Sequence, residues 1–252
     1  MSRNKVKNLI LLKQIHSAVS QIKKGKLDKA LETLDKAEKS ARQAKSKDAL
    51  YYILFTRGGI LYSAKEYDQA LETYERALDA GSDLLKTDPE NVDYQHYMGT
   101  TLSNTGNLLK NKGEMDKAAE YYSQARNIYS ELTTRDSENA VFRSYAGENL
   151  NNYGALLIES GSLDKASEVL REAVEVYQKL YNENPDNLGY QAELSVALSQ
   201  LGSCLKQQGD METAKKSLEK ALEMQENLLA QQPENEKIKE AISLTKERLE
   251  GL

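Results

Sequence analysis

Few side chains in this sequence are of the types that bind metal ions or act as nucleophiles. The two histidines, His16 and His96, lie far apart, and neither begins a paired-histidine metal motif. Cys204 is the one cysteine, which excludes a disulfide within the chain and a cysteine-based zinc site. The glycines do not form a phosphate-binding loop. The sequence therefore predicts no metal, no cofactor and no catalytic residue, and an enzyme would need a site that no motif indicates.

Aromatic residues could serve a different chemistry, because tyrosine rings stack on the bases of single-stranded nucleic acid. The chain has 15 tyrosines, but many of them recur at an interval of 48 residues, which is typical of packing positions. The formal net charge is -5 and the pI about 5.4, so the positive field that nucleic acid requires is missing. We therefore expect no nucleic-acid partner. The recurring sets are Tyr94 with Phe142 and Tyr190, Tyr74 with Tyr122, and Tyr129 with Tyr177.

The first 27 residues differ in charge from the rest of the chain, carrying +7 before the first acid, Asp28. This stretch is interpreted as the basic end of an otherwise acidic molecule, with a weak contact to an acidic partner or a membrane surface as the alternative. The apolar run Leu9–Leu12 is too short for a secretory signal or a membrane span, so we expect a cytoplasmic protein without membrane association. The basic residues are Arg3, Lys5, Lys7, Lys13, Lys23, Lys24 and Lys26.

Composition favours an all-helical fold. Hydrophobic residues make up 39% of the chain and charged residues 29%, which is typical of a folded protein. There are only 3 prolines, and alanine, leucine, glutamate, lysine and glutamine, which lose least on entering a helix, are abundant.

The positions of these residues are periodic. The segment Gly113–Ala118 has near copies along the chain, and from Ala70 onward its final alanine returns every 48 residues. The step from Ala30 to Ala70 is 40 residues, so the first unit is shorter. This regularity predicts a repeat protein. The copies are Gly25–Ala30, Lys65–Ala70, Gly161–Ala166 and Gly209–Ala214.

Segments that break helices recur with the same period. In three of the four segments the second residue is proline, which cannot continue the preceding helix but suits the first turn of the next one. We expect the Asp or Asn before that proline to cap the following helix. The segments are Asp88–Asn91, Asp136–Asn139, Asn184–Asn187 and Gln232–Asn235. The predicted helices are 5–24, 27–44, 48–64, 67–86, 92–111, 115–133, 140–159, 163–182, 188–207, 211–230 and 235–250.

Three columns of small residues run through the repeats, and with them the sequence resembles the tetratricopeptide repeats, whose unit is a helical hairpin of about 34 residues. The resemblance implies an all-α fold, a right-handed α-solenoid superhelix of five hairpins with a capping helix, in one domain spanning 1–252. The implied repeats are 5–45, 47–87, 91–135, 139–183 and 187–231, with the cap at 235–250. The columns are Gly58, Gly106, Gly154 and Gly202; Ala70, Ala118, Ala166 and Ala214; and Ala77, Ala125, Ala173 and Ala221.

The sequence departs from the family in length and in two positions. Each helix has seven residues more than is usual, almost two turns, so the buried stripe stays on the same side. The family's tryptophan position holds leucine, and its proline position holds other residues. The residues at the tryptophan position are Leu54, Leu102, Leu150 and Leu198. Those at the proline position are Ser82, Ser130, Gln178 and Glu226. Cys204 shares a column with Ile60, Leu108 and Leu156, which predicts a packed core thiol.

The resemblance also implies a binding face, since in this family the first helix of each hairpin lines a concave groove that holds extended peptides. The groove positions are aromatic and apolar at their N-terminal end and rich in amides further along, and amides offer both donors and acceptors to a peptide backbone. The candidate groove residues are Tyr62, Ser103, Asn104, Asn107, Lys110, Asn151, Asn152, Ser199, Ser203 and Lys206. Other positions of the same set are Tyr52, Phe55, Gly59, Thr100, Glu148, Ala155, Ile158, Val196 and Gln200.

Some family members bind the acidic C-terminus of a chaperone through basic groove residues. Here the basic positions hold Ser103, Val196 and Gln200, so no binding of this kind is expected. The sequence predicts a non-enzymatic adaptor that binds a protein or peptide partner and is a monomer or a weak homo-oligomer. A module that assembles with copies of itself is the alternative.

Overall fold

The computed structural model describes the backbone from Arg3 to Leu252 and the side chains from Lys13 onward. Over this range the chain forms eleven α-helices and no strand. They are α1 (Arg3–Lys23), α2 (Leu27–Ala44), α3 (Lys47–Ser63), α4 (Tyr67–Thr87), α5 (Val92–Asn111), α6 (Met115–Arg135), α7 (Ala140–Glu159), α8 (Leu163–Glu183), α9 (Leu188–Gln208), α10 (Met211–Gln231) and α11 (Glu236–Leu249).

The predicted helices are confirmed, and each of their bounds agrees with the structure to within two residues. The all-helical solenoid class is confirmed with them. None of the helices in the described range is long and apolar enough to cross a membrane. The basic residues Arg3, Lys5 and Lys7 and the apolar residues Leu9 and Leu12 lie outside the described side chains, so the interpretation of the basic N-terminal stretch stays a prediction.

The chain divides into two compact units, residues 1–121 and 122–252, which are described separately. The expectation of one continuous domain over 1–252 stays a prediction.

The core of the first unit joins α1, α2 and α3. Small alanines let the helix backbones approach, and larger aliphatic side chains fill the space beside them. Further along, the ring of Tyr74 and the side chain of Leu61 pack with Ala70 and Leu108. The buried side chains of the first cluster are Ile15, Ala18, Ala30, Leu34, Ala37, Ala41, Ala49, Ile53 and Ile60.

The second unit repeats this arrangement. Tyr177 and Leu180 of α8 pack against Leu194 and Leu198 of α9, with Ala221 and Met224 of α10 completing the cluster. Cys204 is fully buried, as predicted, and its Sγ donates to the carbonyl oxygen of Leu163.

All eight alanines of the two alanine columns, from Ala70 to Ala221, have no exposed surface. The register taken from the sequence is therefore confirmed.

The glycines of the first small-residue column lie at close contacts between the two helices of a hairpin, where a larger residue would not fit. A Cβ atom at Gly154 would lie 2.5 Å from side-chain atoms of Leu170, and one at Gly202 would lie 2.6 Å from Leu218. In the first unit a Cβ at Gly58 would lie 2.5 Å from the ring of Tyr74. These distances leave no room for a side chain, so the glycine column sets how closely the two helices of a hairpin pack.

The helix-breaking segments differ from the expectation in which residue caps. The N-cap is the asparagine that ends each segment, and its side-chain oxygen accepts hydrogen bonds from backbone N–H groups of the next helix. At Asn187, Oδ1 accepts from the amides of Gly189 and Tyr190 at 3.0 and 3.2 Å. The residue before proline instead ends the preceding helix: the amide of Asn184 donates to the carbonyl of Leu180. The predicted cap at Asp88 and Asn184 was wrong because the proline lies in the connecting turn, outside the new helix.

Within hairpins the turn needs a left-handed residue. Gly161 has φ 74° and Gly209 has φ 90°, a conformation that glycine adopts without steric cost. Gly25, with φ 69°, closes α1 as expected. Lys65 takes the same place with φ 63°.

Candidate functional site

The candidate site is the solvent-facing side of the first helix in each hairpin, which we call the first-helix face. In the first unit it comprises the predicted groove positions of α3 and α5, and in the second those of α7 and α9. On α5 the side chains of Ser103, Asn104, Asn107 and Lys110 are all partly exposed, although most residues around them are buried. These four residues therefore share one polar strip in the C-terminal half of α5.

Two tyrosine hydroxyls, from α3 and α4, form hydrogen bonds with asparagines of α5. Tyr62 accepts a hydrogen bond from Nδ2 of Asn111 at 3.0 Å. Burial raises the pKa of Tyr74, and a hydrogen bond with Asn104 partly opposes that shift. Gly59 lies beside this hydroxyl, and a Cβ there would be 3.6 Å from it, an ordinary van der Waals distance. The buried ring of Tyr74 thus presents its polar end to the face that carries Asn104.

Aromatic rings form the N-terminal end of the first unit's face. Tyr52 and Tyr97 meet edge to face with ring centroids 4.9 Å apart, and Phe55 lies 6.4 Å from Tyr97. All three are partly exposed. Burial and the neighbouring Tyr97 raise the pKa of Tyr52 well above its ordinary value, so its hydroxyl stays protonated at neutral pH. This end of the face can pack apolar groups and donate a hydrogen bond.

The second unit's face carries acidic residues. Nδ2 of Asn151 donates to Oε2 of Glu193 at 3.2 Å, which links α7 to α9. Asn151 is only 3% exposed, so this amide serves a contact inside the unit. Loss of solvent raises the pKa of Glu193, and loss of solvent together with repulsion from Glu193 raises the pKa of Glu148.

The C-terminal end of the same face lies against α11. Ser199 is 4% exposed; its hydroxyl bonds to that of Thr245 at 2.9 Å and accepts from a guanidinium nitrogen of Arg248 at 2.8 Å. Nζ of Lys206 donates to the carbonyl oxygen of Arg248 at 2.8 Å. Among the predicted groove residues of this unit, Asn152, Ser203 and Lys206 remain partly exposed. Ser199 therefore has a packing role, and it is the predicted residue least able to meet a partner.

Two residues of the face, Tyr97 and Glu193, were missed from the sequence, and so was Arg248 of α11, which lies against the face. The family's groove positions begin at Thr100 on α5 and at Val196 on α9. Because these helices begin at Val92 and Leu188, the face extends about one turn further toward their N-termini. That extra length was visible in the sequence and could have indicated Tyr97 and Glu193. Nothing in the sequence indicated that Arg248 lies against Ser199.

The chemistry available on these faces is that of recognition. Among the described residues, no three histidine, cysteine, aspartate or glutamate side chains are grouped to hold a metal ion. The tyrosines with shifted pKa values are shifted away from neutrality, which is opposite to what a general base requires. Amides, hydroxyls and partly exposed rings instead offer hydrogen bonds and apolar contact to another molecule.

Comparison with known proteins agrees with this description. Models of the tetratricopeptide repeat match residues 17–84, 101–131 and 145–227. No curated protein sequence matches the chain.

Solved structures share the fold at low sequence identity. BtubC (BKLC) from P. vanneervenii is 21% identical with a TM-score of 0.70, covering 89% of this chain and 82% of that one. The apo form of RapI is 15% identical with a TM-score of 0.67, covering 86% and 70%. YrrB, described as a TPR protein with an unusual peptide-binding site, is 20% identical with a TM-score of 0.50, covering 88% and 91%. The chain therefore belongs to the tetratricopeptide repeat family, whose fold is a scaffold for protein–protein interaction.

Proposed function

We propose that the chain is a non-enzymatic adaptor that binds an extended peptide segment of a partner protein along its first-helix faces. The observation that carries this proposal is the polar strip on α5, where four polar side chains stay partly exposed in the C-terminal half of the helix while most residues between them are buried. Asparagine is an unfavourable residue inside a helix, and both Asn104 and Asn107 lie on this strip, where their partly exposed amides can also meet a partner.

The composition of the faces indicates what such a peptide would offer. Along α5 the side chains provide donors and acceptors for a peptide backbone, while Tyr52, Phe55 and Tyr97 provide an apolar end for a hydrophobic side chain. In the second unit Glu148 and Glu193 make the face acidic near Asn152. A mixed apolar and polar peptide without a strongly acidic end fits these properties best. The peptide-binding site named for YrrB is consistent with such a use of the fold.

A peptide library displayed on phage tests the proposal. Peptides selected against the purified chain would be synthesised, and their binding measured by fluorescence anisotropy. Hydrogen–deuterium exchange then maps the contact: we expect bound peptide to slow exchange at the loosely protected ends of α5, α7 and α9, with little change in α8 and α10. Protection confined to α8 and α10 would contradict the proposal, as would the recovery of no binding peptide from several independent libraries.

Assembly with copies of the same chain is the alternative. Sedimentation equilibrium over a hundredfold range of concentration separates the two, because a mass that stays at the monomer value of 28.3 kDa leaves no role for self-assembly. The proposal also places the chain in the cytoplasm, which fractionation of the source cells tests.

A further inference from the structure

A tyrosine ring and a glycine form a recurring pair between the two helices of a hairpin. In α7 and α8 the ring of Tyr177 lies on Gly147, and a Cβ atom at this glycine would lie 2.6 Å from Cε2 of the ring. In α3 and α4 the equivalent residues, 96 positions earlier, are Tyr51 and Gly81, with a corresponding distance of 2.9 Å. The two residue types have exchanged places, yet each hairpin still has one ring in this space. The ring is therefore a regular part of the packing.

The last hairpin lacks this ring. The equivalent residues of α9 and α10 are Ser195 and Gln225, and both line a cavity of about 340 Å³ that extends to α11. Its walls are less acidic than the equivalent positions one repeat earlier. Val196 is equivalent to Glu148, and Ala241 is equivalent to Glu193. Leu228 and Ile238 also line it.

Gln225 adds a specific polar group to this cavity. Its side chain is 2% exposed, and its Oε1 is buried without a hydrogen-bond partner among the described residues. A buried acceptor of this kind is unfavourable and gains from a donor. Tyr177, at the equivalent position, donates its hydroxyl to the carbonyl oxygen of Ser144 at 3.2 Å. The last hairpin therefore has no ring at this position, and the glutamine that replaces the tyrosine leaves an acceptor unpaired.

We propose that the cavity between α9, α10 and α11 binds the side chain of a tyrosine supplied by a partner chain. The ring would pack on Val196, Leu228 and Ile238. A rotation of the Gln225 side chain would bring its Oε1, which is buried in the wall, to the cavity, where it would accept from the hydroxyl. A volume of about 340 Å³ lies within the range of small-ligand sites and exceeds what one phenol ring requires. The cavity borders the first-helix face at Val196 but includes none of the polar residues Ser103, Asn104, Asn107 and Lys110 of α5, so loss of p-cresol binding and loss of peptide binding are separate outcomes.

The test uses the full chain with methyl-labelled isoleucine, leucine and valine, and p-cresol as the probe for a tyrosine side chain. NMR titration is expected to give saturable shifts at the methyl groups of Val196, Leu228 and Ile238. Toluene, which lacks the donor, should bind about twofold to tenfold more weakly, the effect of one net hydrogen bond. A pentapeptide with a central tyrosine should shift the same methyl groups, and its phenylalanine counterpart should do so more weakly.

Two variants complete the test. Gln225→Tyr should fill the cavity, abolish the p-cresol shifts and raise the midpoint of thermal unfolding. Gln225→Leu keeps the space but removes the acceptor, and it should lower the affinity for p-cresol to that for toluene, so the test stands even if Gln225→Tyr does not fold. The proposal is overturned if p-cresol gives no saturable shift, if both variants bind it as the wild type does, or if the tyrosine peptide leaves these methyl groups unchanged.

Discussion

The amide nitrogen of Asn151 donates to the carboxylate of Glu193 at 3.2 Å, and this bond connects α7 to α9. It stabilises a negative charge that burial disfavours, but the pKa of Glu193 is still raised above its usual value. In the described part of the chain, no cationic side chain contributes to the pKa shift of Glu193 or of Glu148. The charge of Glu193, which is only partly exposed, is therefore an unfavourable feature of the folded state, and pH-dependent stability measures it.

Glu193→Gln should stabilise the protein at neutral pH. The folded pKa of Glu193 is raised, so the protonated acid is favoured by folding. Its contribution to stability is present below the ordinary value of 4.5 and is lost as the pH rises through the raised value. Glutamine does not ionise, so the variant does not lose this stability as the pH rises. Urea unfolding should show little difference between variant and wild type near pH 4 and a more stable variant at about pH 7.

Glu183→Gln is the matched control with the opposite sign. Glu183 accepts two hydrogen bonds from Arg143, at 2.8 and 2.6 Å, and this partner lowers its pKa. A lowered folded pKa contributes stability above the unfolded value, which is lost as the pH falls. The variant should therefore be less stable than wild type at about pH 7, with a smaller difference in acid. If the two variants respond to pH in the same direction, the assignment of these environments is wrong.

Gly147→Ala should destabilise the protein by about 1 to 3 kcal/mol, the usual cost of overpacking, because the new methyl group would meet the Tyr177 ring. Gly59→Ala provides the contrast. Its Cβ would lie 3.6 Å from the nearest atom, so the helix propensity of alanine should dominate and stabilise by up to about 1 kcal/mol. Chemical denaturation of both variants measures the difference, and a tolerated Gly147→Ala would contradict the described contact.

The corrected helix caps make a further prediction. Asn187→Ala removes the acceptor for two backbone amides of α9 and should cost about 0.5 to 2 kcal/mol. Asn184→Ala should have a smaller effect, since the contact recorded for Asn184 is made by its backbone. Thermal unfolding of the two variants decides between them. If Asn184→Ala costs more stability than Asn187→Ala, the cap predicted from the sequence would be correct after all.

The helices and their packing could be predicted from the sequence because the signals are local and repeated. Proline, the cap residues and the left-handed glycines mark the ends of helices, and the fixed spacing of Ala70, Ala118, Ala166 and Ala214 identifies the packed columns. The capping residue was misplaced because proline suits both a connecting turn and a first helical turn. The residues around Asn187 did not show whether the proline lies in the turn or in the first turn of the helix.

The site was less predictable, because it depends on contacts between distant segments. Asn151 was predicted to face a partner, but its amide is bonded to Glu193, 42 residues away. Ser199 was assigned to the groove, yet α11 covers it through Thr245 and Arg248. A family pattern gives positions along a helix. It does not show which neighbouring helix will occupy the space above them.

The most direct test of peptide binding at the first-helix faces compares two double variants of equal chemistry. Asn107→Ala with Asn152→Ala changes partly exposed residues of these faces, while Asn127→Ala with Asn227→Ala changes exposed asparagines on α6 and α10. For a peptide selected against the wild type, Kd from fluorescence anisotropy should rise about tenfold or more in the first variant, the effect of two lost hydrogen bonds, and stay within about twofold in the second. If Kd is unchanged in the first variant and raised in the second, the peptide binds outside the first-helix faces, and the proposed function is contradicted.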